Sequence, residues 1–186
     1  MNPASGILIV DKPEGLSSAA VVARVKRLSG GAKVGHAGTL DPFASGVLVC
    51  CLNRATKLAR FFLQGTKHYQ ALLQLGVDTD TQDASGRVTA SRSVPPLSDA
   101  QIDRACNPFR GDFLQQPPLY PALTHQGRPV YDWARTGKPV AKPPRPATIS
   151  KRTVTEVTLP RVRMEVHCSG GTYIRTLAAD IGRALG

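Results

Sequence analysis

Acidic side chains are scarce in this 186-residue chain. Asp and Glu number 13 against 24 Lys and Arg, giving a formal net charge of +11 and a pI near 10.0. Aromatic residues make up only 5%. Long hydrophobic runs are missing too: uncharged apolar stretches such as Gly46 to Leu52 fall far short of the ~20 residues that cross a bilayer as a helix. The opening MNPASGILIVDKP has no basic n-region, and its apolar run is too short for a secretory signal. A soluble, cytoplasmic protein is expected. Cys50, Cys51, Cys106 and Cys168 form no C-x-x-C pair, and adjacent cysteines on a strand point to opposite faces, which suits neither a disulfide nor a zinc site. Four buried, reduced thiols are the expectation. His36, His68, His125 and His167 lack ligand spacing, so no metal is required.

What is present is ordinary for a globular chain, 41% apolar and 20% charged, and the length suits one domain. The positive charge is spread evenly. Residues 1–93 carry 11 basic and 6 acidic side chains, and residues 94–186 carry 13 and 7. No block of five like charges occurs, so the folded surface itself is basic. Such a surface calls for a polyanionic partner, nucleic acid first and an anionic membrane second.

Along the chain, Ile7 to Val10 reads as a buried strand. Ser17 is a suitable N-cap for a helix with Ala20, Val21, Val22, Val25 and Leu28 on one stripe, ended by Gly30. Gly31 to Ser45 reads as a loop of small residues, Val47 to Leu52 as a strand, Thr56 to Leu63 as a short helix and Lys67 to Leu75 as a strand. A polar turn at 78–86 and a strand at 87–90 follow. Ser98 with Gln101 makes a capping box for a helix through Cys106. Phe113 to Leu123 is proline-rich and partly extended, Pro129 opens a short helix to Arg135, and residues 138–146 read as a rigid connector. Thr148 to Leu159 and Arg161 to Cys168 form an antiparallel pair. In the second, Val162, Met164, Val166 and Cys168 alternate with Arg161, Arg163, Glu165 and His167, so one face is buried. Gly170-Gly171 turns into a last helix with Ile174, Leu177, Ile181 and Leu185 inside. Helices and hairpins interleave without a βαβ rhythm, which predicts an α+β fold with a mixed, largely antiparallel sheet flanked by helices.

One carboxylate stands apart. Across the 63 residues from Gly15 to Val77, Asp41 is the only acid, among eight Lys and Arg. Positive neighbours keep such a group ionised. A surface built for phosphates would exclude it, so Asp41 is either structural or the reason for the surface. As a structural residue, Asp41-Pro42 fits an N-cap followed by proline at the first helical position. Against that, the string GHAGTLDPFASGVL has almost no side-chain bulk, which lets another chain approach closely. A Walker phosphate loop is excluded, because Gly-Lys-Ser/Thr is absent.

The run Gly35-His36-Ala37-Gly38-Thr39-Leu40-Asp41-Pro42, followed by Ala44-Ser45-Gly46, resembles the catalytic motif of TruB-type tRNA pseudouridine synthases. Further motifs match in order: Gly6 to Pro13 with Gly15-Leu16-Ser17-Ser18; Lys67-His68-Tyr69; Leu75-Gly76 with Thr79 to Asp83; Phe109-Arg110-Gly111; Gln116-Pro117-Pro118 with Tyr120; and His167 to Leu177. The resemblance implies one catalytic domain over 1–186. It implies isomerisation of the T-loop uridine of tRNA, position 55 in standard tRNA numbering, after that base leaves its stack. The implied catalytic group is Asp41, with no metal and no organic cofactor. Tyr69 corresponds to the ring that receives the base, Tyr173 to a second tyrosine beneath the site, and Arg175 to an arginine that pairs with the aspartate. His36 corresponds to a contact with the extruded loop, and Lys12 to a support of the site's floor. Without the resemblance, Tyr69 reads as an ordinary strand aromatic and His36 as a satisfied loop residue, and the bland reading of Arg175 is a solvated charge. The basic stretch Arg135 to Arg163, eight cations and Glu156, reads as part of a tRNA-backbone surface.

Two departures stand out. Pro121 and Thr124 occupy positions where the family has serine and lysine. Family members also continue past this point with a short core segment and a PUA domain, so the chain reads as C-terminally truncated. A monomer acting on the tRNA T-arm is expected. The alternatives are a tRNA-binding fragment without turnover and, less consistent with the basic surface, an enzyme of free nucleotides.

Overall fold

In the computed structural model, which describes residues 4–118, 124–125, 128–129 and 142–186, the chain divides at Gly65 into two units, Met1–Gly65 and Thr66–Gly186. Among the described residues every strand pairing is antiparallel, and no helix is long and apolar enough to cross a membrane.

The first unit is a three-stranded sheet with one helix. Strands β1 (Gly6–Lys12), β2 (Val34–His36) and β3 (Gly46–Leu52) run in the order β1-β3-β2. Helix α1 (Ser18–Leu28) starts where Ser17 accepts a hydrogen bond from Ala20 N at 3.1 Å. It ends as Gly30 and Gly31 turn to φ +67° and +86°. Its Val21 and Val25 bury against Leu48 and Cys50 of β3. The glycine-rich segment expected as loop contains β2: Gly35 and His36 pair with Cys51 and Cys50, a long-range contact that local sequence does not announce. The helix expected over 56–63 begins as a 3-10 turn at Asn53–Leu58 and becomes α2 at Ala59–Gln64.

The second unit is built on a four-stranded sheet in the order β4-β11-β10-β7, comprising β4 (Lys67–Gln74), β7 (Gly111–Gln115), β10 (Arg145–Thr158) and β11 (Arg161–Cys168). The alternation in β11 is realised: Val162, Met164, Val166 and Cys168 are at most 1% exposed. They pack with Ile102, Leu177 and Ile181 of two helices, α3 (Asp99–Cys106) and α4 (Ile174–Leu185). Each such aliphatic side chain contributes about 1.5–3 kcal/mol by leaving water. The Ser98–Gln101 capping box is present. β10 begins three residues earlier than expected because Arg145 to Ala147 pair with β7. A hairpin of β5 (Val77–Thr79) and β6 (Val88–Ser91) spans the polar turn, and β8 (Thr124–His125) pairs with β9 (Arg128–Pro129). The expected helix over 129–135, most of the 138–146 connector and Pro121 lie outside the described residues; of Thr124 only the backbone is described. All four cysteines are free and buried.

The polar turn docks on the first turn of α4 through a buried ion pair. Arg175 donates to an Asp83 carboxylate oxygen and to the Thr81 carbonyl, each at 3.4 Å. The two side chains of the pair are only 6% and 5% exposed. Breaking a buried ion pair is costly, so Asp83→Ala should cost about 3 kcal/mol in urea unfolding, and adding Arg175→Met should restore part of that loss. A loss below about 0.5 kcal/mol would show the pair to be energetically idle.

Candidate active site

In the first unit the segment from Ala37 to Ser45 leaves β2 and enters β3. It bends at Gly38 (φ +135°) and Gly46 (φ +122°), a backbone conformation that side chains strain. Its small residues offer little packing of their own, and polar groups from the preceding chain hold its main chain. Ser18, 3% exposed, donates through Oγ to Leu40 O at 2.9 Å and accepts from Leu40 N at 3.0 Å. Lys12 is fully buried and directs Nζ at three carbonyls: Leu16 at 2.7 Å, Pro13 at 2.9 Å and Pro42 at 3.3 Å. Gly15 N donates to the same Pro42 carbonyl at 2.8 Å. Asp41 sits between the two gripped residues and is half-buried. The helix start that Asp41-Pro42 suggested does not form. Ala44 N closes a single turn on Asp41 O at 3.0 Å, and the chain passes into β3 two residues later.

Burial pushes the Lys12 ammonium below its ordinary 10.5, while the carboxylates of Asp41 and Glu14 act to raise it. Asp41 therefore faces a cation that is immobilised and cut off from water. His36, at the end of β2, lies 2.6 Å from Gly38 O through Nδ1. A carbonyl only accepts, so Nδ1 carries the proton in this contact and Nε2 remains as the other ring nitrogen.

The second unit holds the other residues named from sequence. Tyr69 lies on β4 opposite Val166, half-buried against the core cluster. Tyr173 is the half-buried N-cap residue of α4. Arg175 is 8% exposed, not a solvated charge. A cation in a helix's first turn opposes the helix dipole, and Asp83 supplies a compensating anion. Asp83 is itself held by Thr81 Oγ1 at 2.8 Å and Ser85 N at 2.9 Å, while Thr176 Oγ1 reaches Gln82 Oε1 at 3.0 Å.

Sequence reasoning missed Asp83 and Ser18. An aspartate within a turn carrying Asp78, Asp80, Thr79 and Thr81 looks solvated. The only local hint for Ser18 is that one serine of the Ser17-Ser18 pair suffices as a cap. The basic stretch also needs correction at Arg152. Its side chain is 7% exposed and bonded to Asp103 at 3.0 Å and Asn107 at 3.4 Å, so it ties β10 to α3 and offers nothing to a phosphate. Arg163 pairs with Glu156 at 3.3 Å. Arg145, Lys151 and Arg161 are exposed, and Arg135 and Lys138 lie outside the described residues.

Residues 26–174 match the family model of the TruB family pseudouridylate synthase N-terminal domain. The tRNA pseudouridine synthase B of Syntrophus aciditrophicus is 49% identical over 181 residues, covering 97% of this chain and 58% of that protein. That of Bordetella avium is 45% identical over 186 residues, covering 99% and 76%. The chain thus spans about three fifths of the length of most of the curated relatives it matches most strongly. Among solved structures, a Cbf5-Nop10-Gar1 complex superimposes with a TM-score of 0.71 at 30% identity, covering 97% of this chain and 44% of that one. An H/ACA RNP bound to a substrate RNA containing 2′-deoxyuridine gives 0.69 at 28%. With the family model spanning residues 26–174 and the Bordetella protein matched over three quarters of its length, the chain belongs to the TruB family of pseudouridylate synthases.

Proposed function

We propose that this chain carries the catalytic machinery of a tRNA pseudouridine synthase acting on the T-loop uridine. The observation that carries the reading is the segment around Asp41: a half-buried carboxylate, flanked by small residues, whose two neighbours are gripped through their main chains. Such a segment lets an everted nucleoside come close to a fixed anion. In the reaction the C1′–N1 bond breaks, the uracil turns, and C1′ rejoins at C5; the C5 proton is released and N1 gains one. Composition is unchanged, so no oxidant or group donor is needed. Asp41 is the catalytic residue in this reading. Tyr69 receives the base, Tyr173 packs under it, Arg175 contributes positive charge and His36 meets the displaced loop. Lys12 acts by immobilising the main chain at Pro42. Exposed cations on β10 and β11 suit the tRNA backbone, and such a substrate implies work in the cytoplasm, by a monomer.

The relatives' names support this reading, since they are called tRNA pseudouridine synthase B. A second reading is tRNA binding without turnover, for which the exposed cations Arg145, Lys151 and Arg161 alone would suffice. Release of tritium from a transcript carrying uridine labelled at C5 separates the two: release supports the enzyme, and binding without release supports the second reading.

Three outcomes follow. Asp41→Asn should lower product formation by at least about 10³-fold while tRNA affinity stays within about threefold, because only the reacting anion is lost; residual turnover within tenfold of wild type would refute the role. tRNA affinity should fall at least about tenfold from roughly 50 to 200 mM salt, in filter binding, as counterions compete for phosphate contacts. For Lys12, the unfolded chain keeps its proton up to about 10.5 while the folded chain sheds it earlier. Native stability should therefore rise with pH through that window relative to Lys12→Met. Urea melts from about pH 8 to about pH 10 read this as a widening gap in favour of wild type; parallel curves would contradict it.

A further inference from the structure

Gln115, the last residue of β7, is 3% exposed, and its amide is committed in both directions to one residue. Nε2 donates to Tyr173 O at 2.9 Å and Oε1 accepts from Tyr173 N at 2.8 Å. No side chain caps α4. Instead this amide closes a ring on the cap residue's own main chain, like one rung of a β-ladder. Tyr173 O also accepts the first helical bond, from Leu177 N at 3.0 Å. The peptide planes on both sides of the Tyr173 α-carbon are thereby fixed, and with them the direction of its Cα–Cβ bond and the start of the turn that carries Arg175. β7 is in turn anchored, since Gln115 pairs with Arg145 of β10.

We infer that Gln115 is a positioning residue for the uridine, acting through the orientation of Tyr173 and the first turn of α4; the inference rests on the isomerase reading above. A role in stability alone would lower the unfolding free energy of the variants while leaving kcat of the folded chain unchanged. A positioning role needs a donor and an acceptor together, because both peptide planes must be held.

Glutamate separates the two. As a carboxylate, Gln115→Glu still accepts from Tyr173 N but cannot donate to Tyr173 O, and it sets charge against that oxygen. Protonated, it has donor and acceptor in nearly the same places as the amide. At about pH 8 the 186-residue Gln115→Glu chain should show kcat on unmodified tRNA transcript reduced about 30-fold, with KM within about twofold. Near pH 5.5 its kcat should return to within about threefold of wild type at the same pH, while Gln115→Met stays low at both. A deficit in Gln115→Glu that is equal at the two pH values, a defect confined to KM, or either variant within twofold of wild type at pH 8 would overturn the assignment. If Gln115→Met does not fold, the pH profile of the glutamate variant decides alone. Absence of product from the wild-type chain takes down the isomerase reading and this inference with it, whereas active wild type with indifferent variants takes down this inference only.

Discussion

A carboxylate carried on a segment of glycine, alanine and serine has almost no side-chain packing to hold it still, so its main chain must be held from elsewhere. Lys12 and Ser18 provide that constraint. An ammonium taken fully out of water loses several kcal/mol of hydration, and only close, well-directed acceptors offset this. Three carbonyls within 3.3 Å do so for Lys12. Ser18 supplies the complementary grip with one hydroxyl that both gives and takes a hydrogen bond at Leu40. The rest of the first unit serves this arrangement: β1 ends with Lys12 turned inward, and α1 begins at Ser18 because Ser17 caps it.

The second unit solves a related problem with opposite means. Arg175 stands where a helix dipole disfavours a cation, and it is nearly dry. Here the compensation is ionic, from Asp83, and the turn that carries Asp83 is braced by its own threonine and serine. Both units therefore hold charged groups out of water through contacts with segments distant in sequence, 30 residues away for Lys12 and Pro42, 92 for Arg175 and Asp83.

That distance explains what sequence could and could not disclose. The period-two pattern of β11, the serine cap of α1 and the capping box of α3 are written in neighbouring residues, and all three are realised. The isolation of Asp41 is a matter of counting and needs no coordinates. The partners of Ser18, Asp83 and Arg152 are set by chain crossings that no local window contains. β2 is not legible locally, because Val34-Gly35-His36 holds a single branched residue and becomes a strand only when β3 is beside it. The start of β10 is likewise hidden, because Arg145-Pro146 looks like connector until β7 pairs with it.

Because Lys12, Ser18 and Gly15 close on carbonyls and amides rather than on side chains, the scaffold of the Asp41 segment is indifferent to what its own residues carry outward. Libraries that randomise Thr39 or Phe43 could retune what this segment admits while leaving the frame intact, whereas diversity at 12 or 18 would collapse it. Evolvability in this protein is thus divided by position: variation is cheap along the rim and forbidden at the clamps beneath.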